Sequence, residues 1–397
     1  MTKATRSLAS LIDYVEQERY QGWDPYDGLN SKIFKKLPLK HSAFARLAWI
    51  QLFKRSPVNL RPLLRVPKGY NSKGIGLFLS SYSKILRHQN NGQTFPIDVP
   101  NLEDKVHFLG NLLLDSISTG YSGACWGYNF DWQARGGLYF PAGTPTVVAT
   151  AYAAYGLFDA FEATKNHEFL KAALDAQNFV LNDLSRDYRG KDEFLFSYSV
   201  VPGNNKVYNA SLLGSKLLAR IYSYTQNPEL LPLAKASVNA VTKAQKDDGS
   251  WIYGEGPTQG WIDSFHTGFN LEALSEYSKF TGDDSVQSSI NLGLQFYVDS
   301  FFTEKGVPKY YHNQTYPVDI HSPAQLAVTI DALDVQKNYA HLVDRVMSWT
   351  ILNMQAADGY FFYQKKKLQS SKIPYMRWSQ AWMMHALTIC LLSNYEK

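Results

Sequence analysis

Two short runs pair a carboxylate with an imidazole. Trp261-Ile262-Asp263-Ser264-Phe265-His266 sets Asp263 and His266 three residues apart, on one face of the first turn of a helix. A carboxylate in that place orients the ring and raises its pKa, which makes a general acid or base near neutrality. The plainer alternative is an N-capping Asp and a core histidine. Asp319-Ile320-His321-Ser322-Pro323-Ala324-Gln325 repeats the chemistry further along the chain. Two separated carboxylates, Asp263 and Asp319, are the minimum equipment of a glycoside hydrolase. Proton abstraction beside a substrate carboxylate asks for something else: a His or Tyr base, and an Arg, Asn or Gln to neutralise charge. His266 or Tyr208 would be that base, while Asn209 and Arg377 would hold the carboxylate. Arg377 has a structural salt bridge as its alternative role. The residue types fit either reaction.

Around these groups lie residues suited to holding a sugar. The run Cys125-Trp126-Gly127-Tyr128-Asn129-Phe130-Asp131-Trp132-Gln133 is dense in aromatic and amide side chains. A pyranose has apolar faces and a hydroxyl edge, so stacking platforms with polar neighbours suit it. The run also reads as an aromatic plug between helices. We take Trp126, Tyr128, Asp131, Trp132, Asn209, Trp261, Gln325, Tyr375, Trp378 and Gln380 as candidate substrate-binding residues.

What must position them is a repeat of helix pairs. Ala- and Leu-rich stretches at 144–164, 208–225, 263–280, 319–335 and 377–394 read as fully buried helices. More amphipathic ones lie between them, at 167–184, 228–245, 284–302 and 339–355. A further pair precedes them at 71–87 and 104–118. Buried helices recur about every 55–65 residues, as paired-helix repeats do. Thr144-Pro145, Asp263-Ser264 and Ser322-Pro323 read as start signals. Six such hairpins close into a ring, an all-α (α/α)6 toroid over residues 71–397. Residues 1–70, with Gly-Trp-Asp-Pro-Tyr-Asp-Gly-Leu-Asn-Ser at 22–31, form a strap packed on it. The inner helices then run parallel, and their positive N-terminal ends meet at one mouth, favouring an anionic ligand such as a uronate or phosphate.

Gln245-Lys246-Asp247-Asp248-Gly249-Ser250-Trp251, with a degenerate copy from Gln355 to Tyr360, resembles the QW repeat of the α/α-toroid superfamily of squalene cyclases and protein prenyltransferases. There the repeat is structural, so the resemblance implies the fold and no chemistry. The Asp-x-Asp-Asp acid motif of the cyclases is absent, and so is a convincing Asp/Cys/His zinc set. The chain is also similar to six-hairpin carbohydrate enzymes: unsaturated glucuronyl hydrolases, toroid polysaccharide lyases and glucuronyl C5-epimerases. With its Gly22–Ser31 start and its Arg377-Trp378-Ser379-Gln380-Ala381-Trp382 end, it resembles an uncharacterised family associated with polysaccharide biosynthesis. Members of that family often carry the label aminolevulinate dehydratase. That enzyme is a TIM barrel with a Schiff-base lysine, and its βα alternation is missing here. The resemblance implies an enzyme acting on a uronate-containing glycan, whether hydrolase, lyase or epimerase. The alternatives are an isoprenoid-binding toroid and a non-catalytic glycan-binding scaffold.

Composition agrees. The 397 residues are 45% hydrophobic, 19% charged and 14% aromatic, enough for a large core. Forty basic and 35 acidic residues leave a formal charge of +5, a weak overall bias, and no nucleic-acid partner is expected. Lys365-Lys366-Lys367 reads as a solvated loop. Two cysteines, Cys125 and Cys390, make neither a disulfide framework nor a Cys-rich zinc site, and no metal or cofactor is expected. The charged N-terminus lacks the apolar run of a signal peptide, and no apolar stretch reaches transmembrane length. A cytoplasmic protein is expected, with its oligomeric state open.

Overall fold

The computed structural model describes residues 2–393. Thirteen α-helices account for most of it: α1 (Lys3–Gln17), α2 (Ala43–Arg55), α3 (Ser72–Asn90), α4 (Leu102–Asp115), α5 (Val147–Thr164), α6 (His167–Asn182), α7 (Tyr208–Thr225), α8 (Leu230–Lys243), α9 (Ser264–Thr281), α10 (Gln287–Phe301), α11 (His321–Ala332), α12 (Gln336–Met354) and α13 (Trp382–Leu392). The described β structure is short: antiparallel pairs Trp132–Gln133 with Tyr139–Phe140 and Arg186–Gly190 with Glu193–Phe196, and a three-stranded patch built on Val318–Asp319. No described helix is long and apolar enough to cross a membrane.

Six helices form an inner ring in which α3, α5, α7, α9, α11 and α13 are successive neighbours and α13 returns to α3. Most of their residues are buried, polar ones included, which suits helices enclosed on nearly every side. In α5, fourteen of eighteen residues are buried. Small residues bring the backbones close: a Cβ on Gly156 would sit 2.6 Å from the Gly76 carbonyl oxygen across the α3–α5 seam. The outer ring is amphipathic, as expected of helices with one face on the core and one in water.

The sixth outer place is filled by α1, which packs on α12 and α13. It buries Leu8, Leu11, Ile12 and Val15 there. The two Gln-Gly turns mark the equivalence. Gln245 Nε2 donates to the carbonyls of Gly249 and Ser289 (both 3.0 Å), tying the turn after α8 to α10, and Trp251 Nε1 donates to Val241 O at 2.9 Å. Gln355 Nε2 donates to Gly359 O (2.8 Å) and Ser7 O (3.0 Å), tying the turn after α12 to α1. By that pattern α1 follows α12 around the ring, so the chain's two ends close the circle. The rest of the first seventy residues, with α2 and several 3₁₀ turns, lies near the mouth.

α7 starts at Tyr208 and α9 behind the Asp263 cap as expected, while α5 and α11 start two or three residues later than expected. α5 is capped by Thr146, whose side chain accepts from Ala149 N, in place of Thr144. At α11 the first-turn acceptor is Asp319 Oδ1, on His321 N at 3.0 Å, and Ser322 Oγ is buried without a partner. The last inner element opens with a π-helical turn, Met376–Ala381, before α13. Such a turn re-aims side chains and is common at functional sites. Asn394, the expected end of this helix, lies outside the described residues.

Candidate active site

A cavity of ≈ 280 Å³ opens at the N-terminal ends of the inner helices. Every inner element contributes an early residue to its wall: Lys73 from α3, Val148 from α5, Asn209 from α7, His266 from α9, His321 from α11 and Arg377 from the π-turn. The parallel arrangement deduced from spacing is what gathers them.

His266 stands with its side chain partly open to the cavity. Asp263 caps α9 through His266 N (3.0 Å), and its Oδ2 meets His266 Nδ1 at 2.7 Å. The same oxygen accepts from Trp261 Nε1 at 2.7 Å. Asp263 is thereby buried behind the imidazole, fixing the ring so that Nε2 is left without a partner among the described residues. Trp261 stacks on Tyr253 at 4.5 Å, with 12° between the planes, as one wall.

His321 is held differently. It is 1% exposed, boxed by Phe265 (4.7 Å, stacked), Trp382 (4.3 Å) and Trp378 (5.0 Å), and neither ring nitrogen has a partner among the described residues. Burial, with Lys73 and Arg377 nearby, holds its pKa well below the usual histidine value, so the ring is neutral. The Phe265 ring also touches His266, at 4.5 Å, so one phenyl ring lies against both imidazoles. Asn209 Oδ1 is a further buried acceptor with no partner. Such atoms on a cavity wall mark where a polar ligand or water binds.

Arg377 makes a structural salt bridge and also lines the cavity. Its Nε donates to Asp24 Oδ2 at 2.6 Å, and its guanidinium lies 5.0 Å over the Tyr128 ring at the cavity wall. Asp319 stays behind the wall. It is 0% exposed, and accepts from Gln364 Nε2 (2.7 Å), Trp378 Nε1 (2.9 Å) and His321 N. Burial pushes its carboxyl up to about 6 against the pull of these donors.

Of the expected residues, Tyr128, Trp132, Asn209, Trp261, His266, His321, Arg377 and Trp378 line the cavity. Eight do not. Asp263 and Asp319 stand in the second row, as described. Tyr208 turns away and donates to Glu255 Oε1 at 2.9 Å. Trp126 is a buried plug whose Nε1 donates to Leu113 O. Asp131 accepts from Ala142 N in the connector. Gln325 sits deeper in the barrel, on Glu272. Tyr375 accepts from Arg61 of the strap. Gln380 bonds both backbone groups of Phe361. For Tyr208, Gln325 and Gln380 the helical turn angle sends the side chain elsewhere; the others lie in connectors or at helix caps, where local hydrogen bonds hold them.

The sequence reading missed Lys73. It is 3% exposed, with its ammonium 4.3 Å from the Tyr152 ring and 5.1 Å from those of Phe269 and Trp382. No carboxylate or hydrogen-bond acceptor reaches it among the described residues. Burial and the neighbouring Arg377 depress its pKa well below the usual lysine value. A signal was present: a lone Lys in the otherwise apolar start of an inner helix. Also missed were Tyr26, Gln51 and Lys54, which reach the mouth from the strap. No carboxylate lines this cavity among the described residues, whereas Lys54, Lys73, Arg135 and Arg377 do.

By fold the chain is similar to a solved protein of Listeria innocua, at 13% identity over all of this chain and 99% of the other, TM-score 0.64. It is similar too to cellobiose 2-epimerase from Bacillus thermoamylovorans, at 12% identity over 83% and 90%, TM-score 0.63. A third is a GH76 α-mannanase from Bacteroides thetaiotaomicron, at 14% identity over 82% and 87%, TM-score 0.60. The shared feature is the (α/α)6 toroid. No protein-family model matches the chain, and no curated protein matches it by sequence.

Proposed function

We propose that this chain is a carbohydrate-active enzyme that moves a proton on a carbon beside a carboxylate of a uronate-bearing glycan, with His266 as its base and neutral His321 as a hydrogen-bond donor. The observation that carries the reading is the make-up of the cavity wall: two imidazoles and four basic side chains, with no carboxylate among the described lining residues. A two-carboxylate glycosidase needs both acids on the scissile bond. Asp263 and Asp319 are instead occupied with histidine and tryptophan N–H groups.

In this reading His266 Nε2 takes the proton from the carbon next to the sugar carboxylate. Arg377 and Lys73 stabilise the enolate charge that forms on that group. His321, in its neutral form, donates a hydrogen bond from its ring N–H to the enolate oxygen. Return of a proton from water to the opposite face of the carbon, with His266 giving its own proton up to solvent, gives epimerisation; transfer of the proton from His266 to a departing β-oxygen gives elimination. Tyr253–Trp261 and Tyr128 supply flat walls for the sugar faces. The named activities of two similar folds, a mannanase and a sugar epimerase, agree with a sugar ligand. A polysaccharide, or an intermediate of its assembly, would provide it. A prenyl chain would want a dry aromatic well, which four basic side chains do not make.

The test is incubation with a panel of uronate oligosaccharides in deuterated water. Deuterium uptake at the carbon, or absorbance of an unsaturated product, is expected and should vanish in His266→Ala. New reducing ends without either signal would overturn the reading in favour of hydrolysis. Silence throughout, with sugar binding unchanged in His266→Ala, would favour a scaffold.

A further inference from the structure

The small overall charge conceals a strongly one-sided segment. Between Gly28 and Ile97 the chain has no Asp or Glu, and Lys32 to Lys68 alone carries ten Lys and Arg residues. Seven of these ten are exposed. Only Lys35, Arg61 and Lys68 meet a carboxylate among the described residues, Lys35 at 4.0 Å from Asp131. The same segment holds an unusual share of bare apolar side chains: Phe44 (82% exposed), Leu63 (74%), Val58 (64%), Leu39 and Leu52.

α2 organises part of this surface. Phe44, Ala48, Leu52 and Arg55 are exposed at spacings of four, four and three, one outward stripe. Leu47, Ile50, Gln51 and Lys54 on other sides of the helix line the cavity. One helix width, about 10–12 Å, therefore separates the bare stripe from the mouth. A cationic surface studded with protruding Phe and Leu is the composition of an interfacial segment. The apolar groups enter the headgroup boundary while Lys and Arg meet anionic lipid. A nucleic acid or an acidic polymer would match the charge but leave those apolar groups in water.

We propose that the strap from Lys32 to Lys68 is a membrane-docking surface that seats the cavity mouth against an anionic lipid bilayer. Contact is peripheral, since no described helix could span the bilayer. The mouth then opens within reach of substrate held at the lipid surface.

Flotation of the full chain with phosphatidylcholine–phosphatidylglycerol vesicles, against phosphatidylcholine vesicles alone, tests this. Binding to the mixed vesicles only is expected. The double variant Phe44→Ser with Leu63→Ser, and the charge variant Lys35→Glu with Lys36→Glu and Lys40→Glu, should each weaken it by roughly tenfold or more. Both should keep the wild-type melting temperature, because the side chains are exposed. No flotation with mixed vesicles overturns the proposal. So does binding that the charge variant loses while the Phe44→Ser, Leu63→Ser variant keeps it and still adheres to heparin or duplex DNA, which would mark a polyanion site.

Discussion

His266 and His321 show how two side chains of one type acquire different properties from their surroundings. One is steered by a carboxylate, the other is kept neutral by an aromatic box. Asp263→Asn retains an oxygen for the α9 cap but loses the charge that orients His266. Turnover is expected to fall on the order of 10²-fold or more, with little change in melting temperature. Lys73→Met keeps the stem inside its aromatic cage and removes the amine. It should weaken binding of an anionic sugar at least tenfold while leaving a neutral analogue unaffected, as calorimetry would read. His385, at the far end of the barrel, offers a test of linkage. Burial pushes its pKa down to about 3. The unfolded residue, with a pKa near 6.5, therefore binds a proton that the folded one refuses. Its contribution to stability is complete above about pH 6.5 and declines by about 1.4 kcal/mol per unit as pH falls towards 3. In paired urea melts at pH 7 and pH 5, wild type should lose ground to His385→Gln on acidification. The Asp–His pair was legible because an i, i+3 spacing on a helix is a local fact. Lys73 was not, since its partners are rings from three other helices.

At the scale of elements, the inner helices were readable because long runs rich in Ala, Leu and small residues at helical period stand out against the Gly- and aromatic-rich connectors. The exact starts of α5 and α11 were not, because Thr144, Thr146, Asp319 and Ser322 are all competent caps and packing chooses among them. The Gln-Gly turns act as fasteners between outer helices. Gln355→Ala leaves the Ser7 and Gly359 carbonyls without their donor and should cost about 1–3 kcal/mol, read as a lower melting temperature. Trp251→Ala empties a fully packed junction between α8 and α10, so about 3–5 kcal/mol is expected there. Of the site, the aromatic connector was legible in composition, yet only Tyr128 and Trp132 of its four chosen residues face the cavity. Alternation in an irregular loop cannot be read from residue type.

The molecule as a whole depends on a contact no local pattern reveals. α1 lies more than three hundred residues from α12 and α13 in the chain, so its place in the outer ring had no signature in its own amphipathic sequence. Removing residues 2–17 should bare the apolar faces of α12 and α13. The expected result is loss of the single cooperative melt and association on gel filtration, even though Asp263, His266 and His321 are untouched.

This closure bears on how the protein is made. During synthesis the hairpins can stack one upon another as an open arc, but α1 has no berth until α12 and α13 have been made, more than three hundred residues later. Through that stretch its apolar face is unclaimed and sticky, which makes a chaperone holding α1 the expected helper of biogenesis.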